Sequence, residues 1–337
     1  MQTVYEIPSL ITDFGDPERE LNACRTDCAL FDFSFVQRAR VKGREAKTIV
    51  EAFATRNLDS MPIGKIRYAL RLGENETLVS DLTIWKISDE HFEVMSGHPQ
   101  DIRDLQTHGG ACVQDLTDES AIFAVQGPHA LERLAPRCGT ADQLAELSYF
   151  EHINCTVGGT SCRVGRLGYT GEAGFELVCS RANAAQLWAC LTENIQPAGF
   201  IAADVLRIEA GFPLFWNDFA LPVTAQEAGL SAFSRSNSTS SAATLRRICF
   251  SANSASRPIL WRPESTPDRP AKPGEVAVTS ACYSTRAERV LGLGYVLASS
   301  VETETEMFDL GGQFHDIRMQ SLPFYDFAKA RPRAAWR

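Results

Sequence analysis

The sequence lacks the segments and cysteine pairs that mark several common classes of protein. No stretch reaches the roughly 18 consecutive apolar residues of a membrane-spanning helix. The N-terminal region has no basic start followed by an apolar run, so we read no secretory signal peptide. The ten cysteines are scattered without a CxxC pair, which favours buried free thiols over disulfides or a metal site. We therefore expect a cytoplasmic protein that holds no metal.

An excess of positive charge is also missing. The formal net charge is -9 and the isoelectric point is about 5.3. Nucleic acids and anionic membranes both attract basic surfaces, so neither is expected as the main partner. Hydrophobic residues make up 44% and charged residues 22%, which is typical of a globular protein. A length of 337 residues predicts two or three packed domains.

The local patterns mix strand and helix, which indicates an α+β fold. Residues 65–72 alternate cleanly between apolar and polar side chains, and 77–88 follow after a turn. Residues 152–167 predict a hairpin that turns at Gly158 and Gly159. We expect helices in the segments 46–55, 129–134 and 182–195.

The composition changes after Leu230 and suggests a domain boundary. Residues 231–244 are rich in serine and asparagine, as linkers are. Short β-like pieces separated by turn residues follow, which predicts a small β-barrel or sandwich over 245–337. Residues 1–230 form the remaining, N-terminal region.

Asp81 is the first residue with a chemical pattern of interest. It lies in a predicted strand with apolar residues on both faces, where a carboxylate is costly unless it is paired or hydrogen-bonded. It is either a positioned acid, base or ligand anchor, or a satisfied structural aspartate near the end of a strand.

Four glycines occur within ten residues at 165–174, between two predicted strands. This density predicts a tight turn whose backbone approaches something closely. Glu172 lies at the tip beside Tyr169, and a carboxylate there is able to accept two parallel N–H bonds from an aminopyrimidine-type ring. The alternative is an ordinary hairpin with a solvated glutamate.

The segment 204–214 predicts a helix with Asp204 as its N-cap and Gly211 as its stop. Arg207 lies one turn from Asp204. The two residues form an ion pair, or the guanidinium faces a ligand carboxylate or Glu172.

Taken together, seven segments resemble the T-protein (aminomethyltransferase) of the glycine cleavage system and its folate-dependent demethylase relatives. They keep the family order from about residue 20 to 300. The segments are ALFDFSFVQRARVKG, RYALRLGENETLVSDLTIWKIS, AIFAVQGPHALERL, GRLGYTGEAGFEL, DVLRIEAGFPLFWNDF, LPVTAQEAGL and VTSACYSTRAERVLGLGYV.

The resemblance implies a cloverleaf of three domains with tetrahydrofolate in the central cavity. Residues 1–230 would then hold two intertwined α/β subdomains and 245–337 the β-barrel. The family's chemistry needs no covalent nucleophile: the folate nitrogen accepts a carbon from a small aminomethyl or methylated donor. By motif, the catalytic residue is Asp81, and the folate-binding residues are Glu172, which would hold the pterin, Arg207, Tyr169, Tyr68 and Ser96.

The sequence departs from the family pattern mainly on the substrate side. Phe35 stands where T-proteins usually have a histidine, and the strand near Ser96 lacks the asparagine that is usual there. These departures leave several alternatives open: an aminomethyltransferase that uses a lipoyl carrier protein, a demethylase, a subunit of a multi-component demethylase that works with an oxidase subunit, or a non-catalytic folate-binding iron–sulfur assembly factor. The cationic segment 329–337 is interpreted as a loose tail, with contact to the glutamate tail of folate as the alternative.

Overall fold

The structure is a computed structural model that describes residues 4–234, 243–300, 314–320 and 323–336. Most of the predicted linker, at 235–242, lies outside the described residues, as does Arg337. No helix among the described residues has the length and apolar character needed to cross a membrane.

Strands and helices are mixed along the described chain, as the sequence pattern predicted. The strands are β1 (Ala29–Asp32), β2 (Gln37–Lys42), β3 (Ile66–Leu72), β4 (Leu78–Ser88), β5 (His91–Ser96), β6 (Val113–Asp115), β7 (Ser120–Gln126), β8 (His152–Val157), β9 (Thr160–Gly165), β10 (Gly174–Ser180), β11 (Gln196–Ala198), β12 (Leu245–Asn253), β13 (Ala277–Ser284), β14 (Arg289–Leu297) and β15 (His315–Gln320). The helices are α1 (Pro17–Thr26), α2 (Ala46–Phe53), α3 (Asp101–Gly109), α4 (Ala130–Leu134), α5 (Ala141–Glu146), α6 (Ala184–Thr192), α7 (Phe200–Glu209) and α8 (Phe215–Asp218).

The chain forms two compact units that are each discontinuous in sequence. The large unit contains Ile7–Arg71, Ser80–Ala203 and Lys329–Arg337. The small unit contains Met1–Glu6, Leu72–Val79 and Asp204–Ala328. The cloverleaf arrangement of three domains stays a prediction.

The large unit contains a six-stranded sheet with the strand order β11-β1-β7-β10-β9-β8. The central strands are antiparallel, and only β11 runs parallel to β1. The predicted hairpin is confirmed as β8 and β9, with both turn glycines at positive φ. Side chains such as Phe123, Phe175 and Leu177 pack with α4 and α6 to form the core on one face of this sheet.

Most of a five-stranded sheet, β3-β4-β5-β2-β6, also belongs to the large unit. Its alternation follows the sequence: Leu82 and Ile84 point to a core shared with α2 and α3. Asp81, Thr83 and Trp85 are expected on the other face. The Trp85 ring lies 5.3 Å from the ring of His152 on β8, so this second face is turned toward the six-stranded sheet.

The small unit contains a four-stranded antiparallel sheet with the order β13-β14-β12-β15. A closed barrel, which the sequence predicted for this region, is not found among the described residues. Strands β13 and β15 form the two edges, and a barrel needs its edge strands to pair with each other. The predicted strands themselves are present, because each follows the apolar pattern that buries Ile248, Phe250 and Val278.

Candidate functional site

The glycine-rich loop between β9 and β10 is wrapped around the side chain of Gln126. The Gln126 Nε2 group donates to the carbonyl of Leu167 at 3.0 Å, and the Thr170 hydroxyl donates to Gln126 Oε1 at 3.1 Å. A Cβ atom on Gly168 would overlap the Gln126 carboxamide. The close approach that the glycine density predicted is therefore confirmed, and the group approached is a side chain of β7.

A second glycine brings the two sheets of the large unit together. Gly165 ends β9, and a Cβ atom there would overlap the indole ring of Trp85 on β4. This contact fixes the face of β4 that carries Asp81 against the strands that flank the loop. The glycines thus set the width of the space between the sheets.

Glu172 lies in this loop, but its carboxylate is engaged by two arginines. Arg25 Nη1 donates to Glu172 Oε1 at 3.0 Å and to the carbonyl of Thr170 at 2.8 Å. Arg331 Nη1 donates to Glu172 Oε2 at 3.3 Å. The side chains of Glu172 and Arg25 are almost fully buried. Glu172 thus fastens the loop to α1 and to the C-terminal segment, and its role toward a ligand stays a prediction.

Sequence reasoning missed Glu176, which lies four residues further along. It occupies the middle of β10, opposite Gly165 on one neighbouring strand and Ala124 on the other. No hydrogen bond or ion pair engages its carboxyl group among the described residues. The side chain keeps some accessible surface but lies deep in the protein, and this desolvation raises the pKa of Glu176 to about 7.

The signal for Glu176 was present in the alternation of FEL. Phe175 and Leu177 point into the core, so the residue between them faces the opposite side of the sheet. The alternation does not show what covers that side, and in the structure the five-stranded sheet packs against it. Glu176 and Gly165 lie side by side, and Gly165 touches Trp85, so Glu176 borders the space between the sheets.

Asp81 faces the same space from the other sheet. Tyr68 on β3 donates its hydroxyl to Asp81 Oδ2 at 2.9 Å, and both side chains are half-buried. Asp81 shares its face of β4 with Trp85 because the two are four residues apart in a strand. The structure therefore brings Asp81, Tyr68 and Glu176 to one inter-sheet region of the large unit.

Ser96 lies at the end of β5 and is buried rather than lining a surface. Its hydroxyl donates to Asp101 Oδ2 at 2.6 Å, as does the hydroxyl of Ser80 at the same distance. Arg71 Nη1 donates to the other oxygen of Asp101 at 2.7 Å. This buried cluster anchors the start of α3, and contact between Ser96 and a ligand stays a prediction.

Tyr169 is half-buried in the glycine-rich loop, and its contact with a ligand stays a prediction.

Arg207 lies in α7, where one sequence expectation needs correction. Helix α7 begins at Phe200, so Asp204 lies in its interior and is not the N-cap. The first turn of the helix consists of the apolar residues 200–203, so the polar Asp204 marks a position one turn inside the helix and not its start. The predicted stop is confirmed: Gly211 has φ 70° and its N–H donates to the carbonyl of Ile208.

The guanidinium of Arg207 is fully buried in the small unit. Its Nε donates to Asp204 Oδ1 at 2.7 Å, which is the ion pair that one of the two interpretations predicted. Its Nη1 donates to Asp218 Oδ2 at 2.6 Å, and its Nη2 donates to Ser280 at 2.8 Å. Arg207 thus joins α7, α8 and β13, and its role in folate binding stays a prediction.

The C-terminal segment packs on the large unit, so the expectation of a loose tail is wrong for residues 329–336. The Trp336 ring stacks on Phe175 with centroids 5.0 Å apart. The guanidinium of Arg166 lies 4.7 Å from the centroid of the Trp336 ring. Together with the contact between Arg331 and Glu172, these interactions bring the segment beside the glycine-rich loop.

Comparison with known proteins supports the resemblance seen in the motifs. The family model described as the GCVT N-terminal domain matches residues 4–237. An aminomethyltransferase from a Thermoanaerobacter species is 34% identical over 226 residues, covering 64% of this chain and 61% of that protein. An aminomethyltransferase from a Thermotoga species is 32% identical over 238 residues, covering 67% of this chain and 64% of that protein. The matched region thus spans about three fifths of these curated relatives.

A solved structure extends the similarity of fold to nearly the whole chain. The glycine cleavage system aminomethyltransferase T from Bartonella henselae has a TM-score of 0.77 to this chain at 24% identity. The match covers 94% of this chain and 91% of that one. At this level of identity the similarity concerns the fold alone.

Proposed function

The chain belongs to the GCVT N-terminal domain family, and on that basis we propose that it is a tetrahydrofolate-dependent one-carbon transferase. The observation that supports this most is that Asp81, which is hydrogen-bonded to Tyr68, and the desolvated Glu176 lie on two sheets that face each other through Trp85. Two acidic side chains with different environments, held on facing sheets, suit a ligand that carries both a polar ring and a reacting nitrogen.

The residues present fit a reduced pterin. Glu176 is a desolvated carboxyl group with a raised pKa and small neighbours on both sides, so there is room for a ring edge beside it. A ring edge that presents two parallel N–H donors would supply the hydrogen bonds that this carboxyl group does not receive from the described residues. We infer that Glu176 holds the pterin and that Glu172 maintains the loop.

Asp81 is the residue we assign to catalysis. Bound tetrahydrofolate supplies the nitrogen that accepts the carbon. The hydrogen bond from Tyr68 fixes the Asp81 carboxylate, so it needs no reorganisation when positive charge develops beside it. A fixed carboxylate at this position also serves to accept a proton from a group that hydrogen-bonds to it.

The donor is an aminomethyl or methyl compound, and one observation bears on which. Phe35, which replaces the family's histidine, packs edge-on against Phe200 with centroids 5.4 Å apart and against Phe33 at 6.0 Å. Phenylalanine at position 35 gives the large unit an apolar cluster in place of a titratable histidine. We take this change to favour a small methylated amine as the donor, so a demethylase is the second candidate. An aminomethyl group on a lipoyl carrier protein remains the first candidate because the relatives are aminomethyltransferases.

A transfer assay with both donor classes tests the proposal. The full chain is incubated with tetrahydrofolate and either an aminomethyl-lipoyl carrier or a panel of N-methyl amines. Methylene-folate and released ammonia are measured for the carrier, and methyl-folate and the demethylated amine are measured for the N-methyl amines. We expect turnover with one donor class and a loss of roughly a hundredfold or more in kcat for Asp81→Asn. The conservative Tyr68→Phe variant should lose about tenfold. Absence of folate product with every donor would overturn the proposed activity.

A further inference from the structure

A second polar cleft lies in the large unit, where β2 faces β9 and β10. Its volume is about 400 Å³. Three arginines line it: Arg38 and Arg40 from β2, and Arg163 from β9. Arg38 and Arg40 share one face of β2 because they are two residues apart in a strand. A concentration of guanidinium groups stands out in a chain whose net charge is -9.

The arginines outnumber the carboxylates that face them. Arg38 donates from Nε and Nη2 to the two oxygens of Glu93, at 3.0 and 2.8 Å. Arg163 forms an ion pair with the same carboxylate, which is 3% exposed. One buried carboxylate is thus shared by two guanidinium groups. Burial raises the pKa of Glu93, but the hydrogen bonds and charges of Arg38 and Arg163 outweigh this and lower it.

Arg40 adds a charge that no described carboxylate pairs with. Its Nη2 donates to the neutral carboxamide of Gln114. Glu93 lies behind Arg38 and Arg163, and the acidic residue that lines the cleft itself is Glu119, which is exposed. The three arginines carry one more charge than the two carboxylates of Glu93 and Glu119 neutralise, so the cleft has a net positive charge.

His91 lies close to the same charges. Burial is the largest cause that lowers the pKa of His91 to about 4; the charge of Glu93 raises this pKa, and the charges of Lys42, Arg163 and Arg40 lower it. Arg163 is held in place by two contacts: its Nη1 pairs with Glu93, and its Nε donates to Asn154 Oδ1 at 3.2 Å.

We propose that this cleft binds a small oxyanion with two negative charges. Guanidinium groups recognise carboxylate and phosphate oxygens through paired N–H donors, which is the chemistry that Arg40 and Arg163 offer. Asn154, Ser161 and Ser180 also line the cleft and add neutral hydrogen-bonding groups. The ligand is either a phosphate ester or a dicarboxylate, and the site is independent of the proposed one-carbon chemistry.

The test is an equilibrium titration of the full chain at low ionic strength with inorganic phosphate and, separately, with succinate. Binding of phosphate alone identifies a phosphate-ester site, binding of succinate alone a dicarboxylate site, and binding of both a general dianion site. Each of these outcomes supports the proposal. No saturable binding of either probe at millimolar concentration overturns it.

Variants locate the binding within the cleft. Arg40→Gln and Arg163→Gln should each weaken binding by about ten- to a hundredfold. The exposed Arg103 on α3 provides a matched control, because Arg103→Gln removes one positive charge elsewhere in the same unit. Equal weakening by Arg103→Gln would overturn the proposal, since it would mean that the anion responds only to overall charge. Bound dianion should also raise the pKa of His91, which is measured from its imidazole signals by NMR.

Discussion

Two glutamates four residues apart have opposite environments, and the difference decides their roles. Glu172 is buried against two guanidinium groups, whereas Glu176 is desolvated without a counter-charge. A paired carboxylate stabilises the fold around it, and an unpaired one in a concave region is a candidate ligand anchor. The sequence motif alone favoured the residue at the tip of the loop, because the pairing of Glu172 depends on Arg25 and Arg331, which are distant in the chain.

The environment of Glu176 predicts a pH dependence of stability without ligand. Its pKa is raised from the ordinary 4.5 to about 7 by burial, so the native state holds a proton that the unfolded chain releases in this interval. The free energy of unfolding should therefore fall as pH rises from about 4.5 to 7. Glu176→Gln should flatten this slope, by roughly 1–3 kcal/mol across the interval after allowance for partial exposure.

Chemical denaturation of the wild type and Glu176→Gln at several pH values measures the two slopes. The exposed Glu146→Gln variant controls for the loss of one carboxyl group in the same unit. Parallel pH profiles for the wild type and Glu176→Gln would contradict the assignment of a desolvated carboxyl group at this position.

The buried pair between Arg25 and Glu172 predicts a strong effect of one substitution. Arg25→Met removes the closest guanidinium and leaves the buried carboxylate with Arg331, so we expect the free energy of unfolding to fall by about 3 kcal/mol. Arg133→Met is the matched control, because its pair with Asp27 is exposed and should contribute within about 1 kcal/mol. Urea titrations of both variants compare the two losses, and equal effects would show that burial does not distinguish the pairs.

At the scale of elements, alternation was the most informative sequence signal. It predicted β4 and its two faces, and the strand and the buried side with Leu82 are confirmed. The functional role of the side with Asp81 stays a prediction. The start of α7 could not be predicted, because its first residues are apolar and no side-chain cap marks them. The packing of the five-stranded sheet against the face of β10 that carries Glu176 could not be predicted either, because it depends on contacts between residues that are distant in sequence.

The glycine-rich loop is an element whose shape predicts intolerance to a single methyl group. Gly168→Ala places Cβ onto the Gln126 side chain, so the loop or Gln126 must move, and we expect a loss of about 2–3 kcal/mol in stability. Gly139→Ala is the control: that residue is exposed and has no positive φ, and a Cβ atom there would meet the Thr156 carbonyl oxygen at an ordinary contact distance of 4.0 Å, so a change within about 1 kcal/mol is expected. Thermal unfolding of the two variants measures the difference, and a tolerated Gly168→Ala would contradict the close packing around Gln126.

At the scale of the whole molecule, each of the two compact units is built from segments that are not contiguous in sequence. Residues 329–336 join the large unit after the small unit has been completed, and 72–79 belong to the small unit although they lie between segments of the large one. Amino-acid composition reveals a domain boundary only where the linker is polar. The sequence therefore predicted a single domain boundary, near residue 231. Such interleaving arises from long-range contacts that local patterns do not contain.

The returning C-terminal segment should contribute to the stability of the large unit. Trp336→Ala removes the ring stacked between Phe175 and Arg166, and we expect a loss of about 2 kcal/mol because the ring is half-buried. Phe327→Ala serves as the control, because Phe327 is 66% exposed and should change stability by less than about 0.5 kcal/mol. Denaturant titrations measure the free energy of unfolding of both variants. Equally small losses for Trp336→Ala and Phe327→Ala would support the interpretation of a loose tail.

The central claim is that this fold binds tetrahydrofolate through Glu176, and calorimetric titration tests it most directly. We expect micromolar binding to the wild type, a loss of about tenfold or more for Glu176→Gln, and a smaller effect for Glu172→Gln that follows its effect on stability. Binding lost in Glu172→Gln and kept in Glu176→Gln would exchange the two roles. No binding to the folded wild type would contradict the account as a whole.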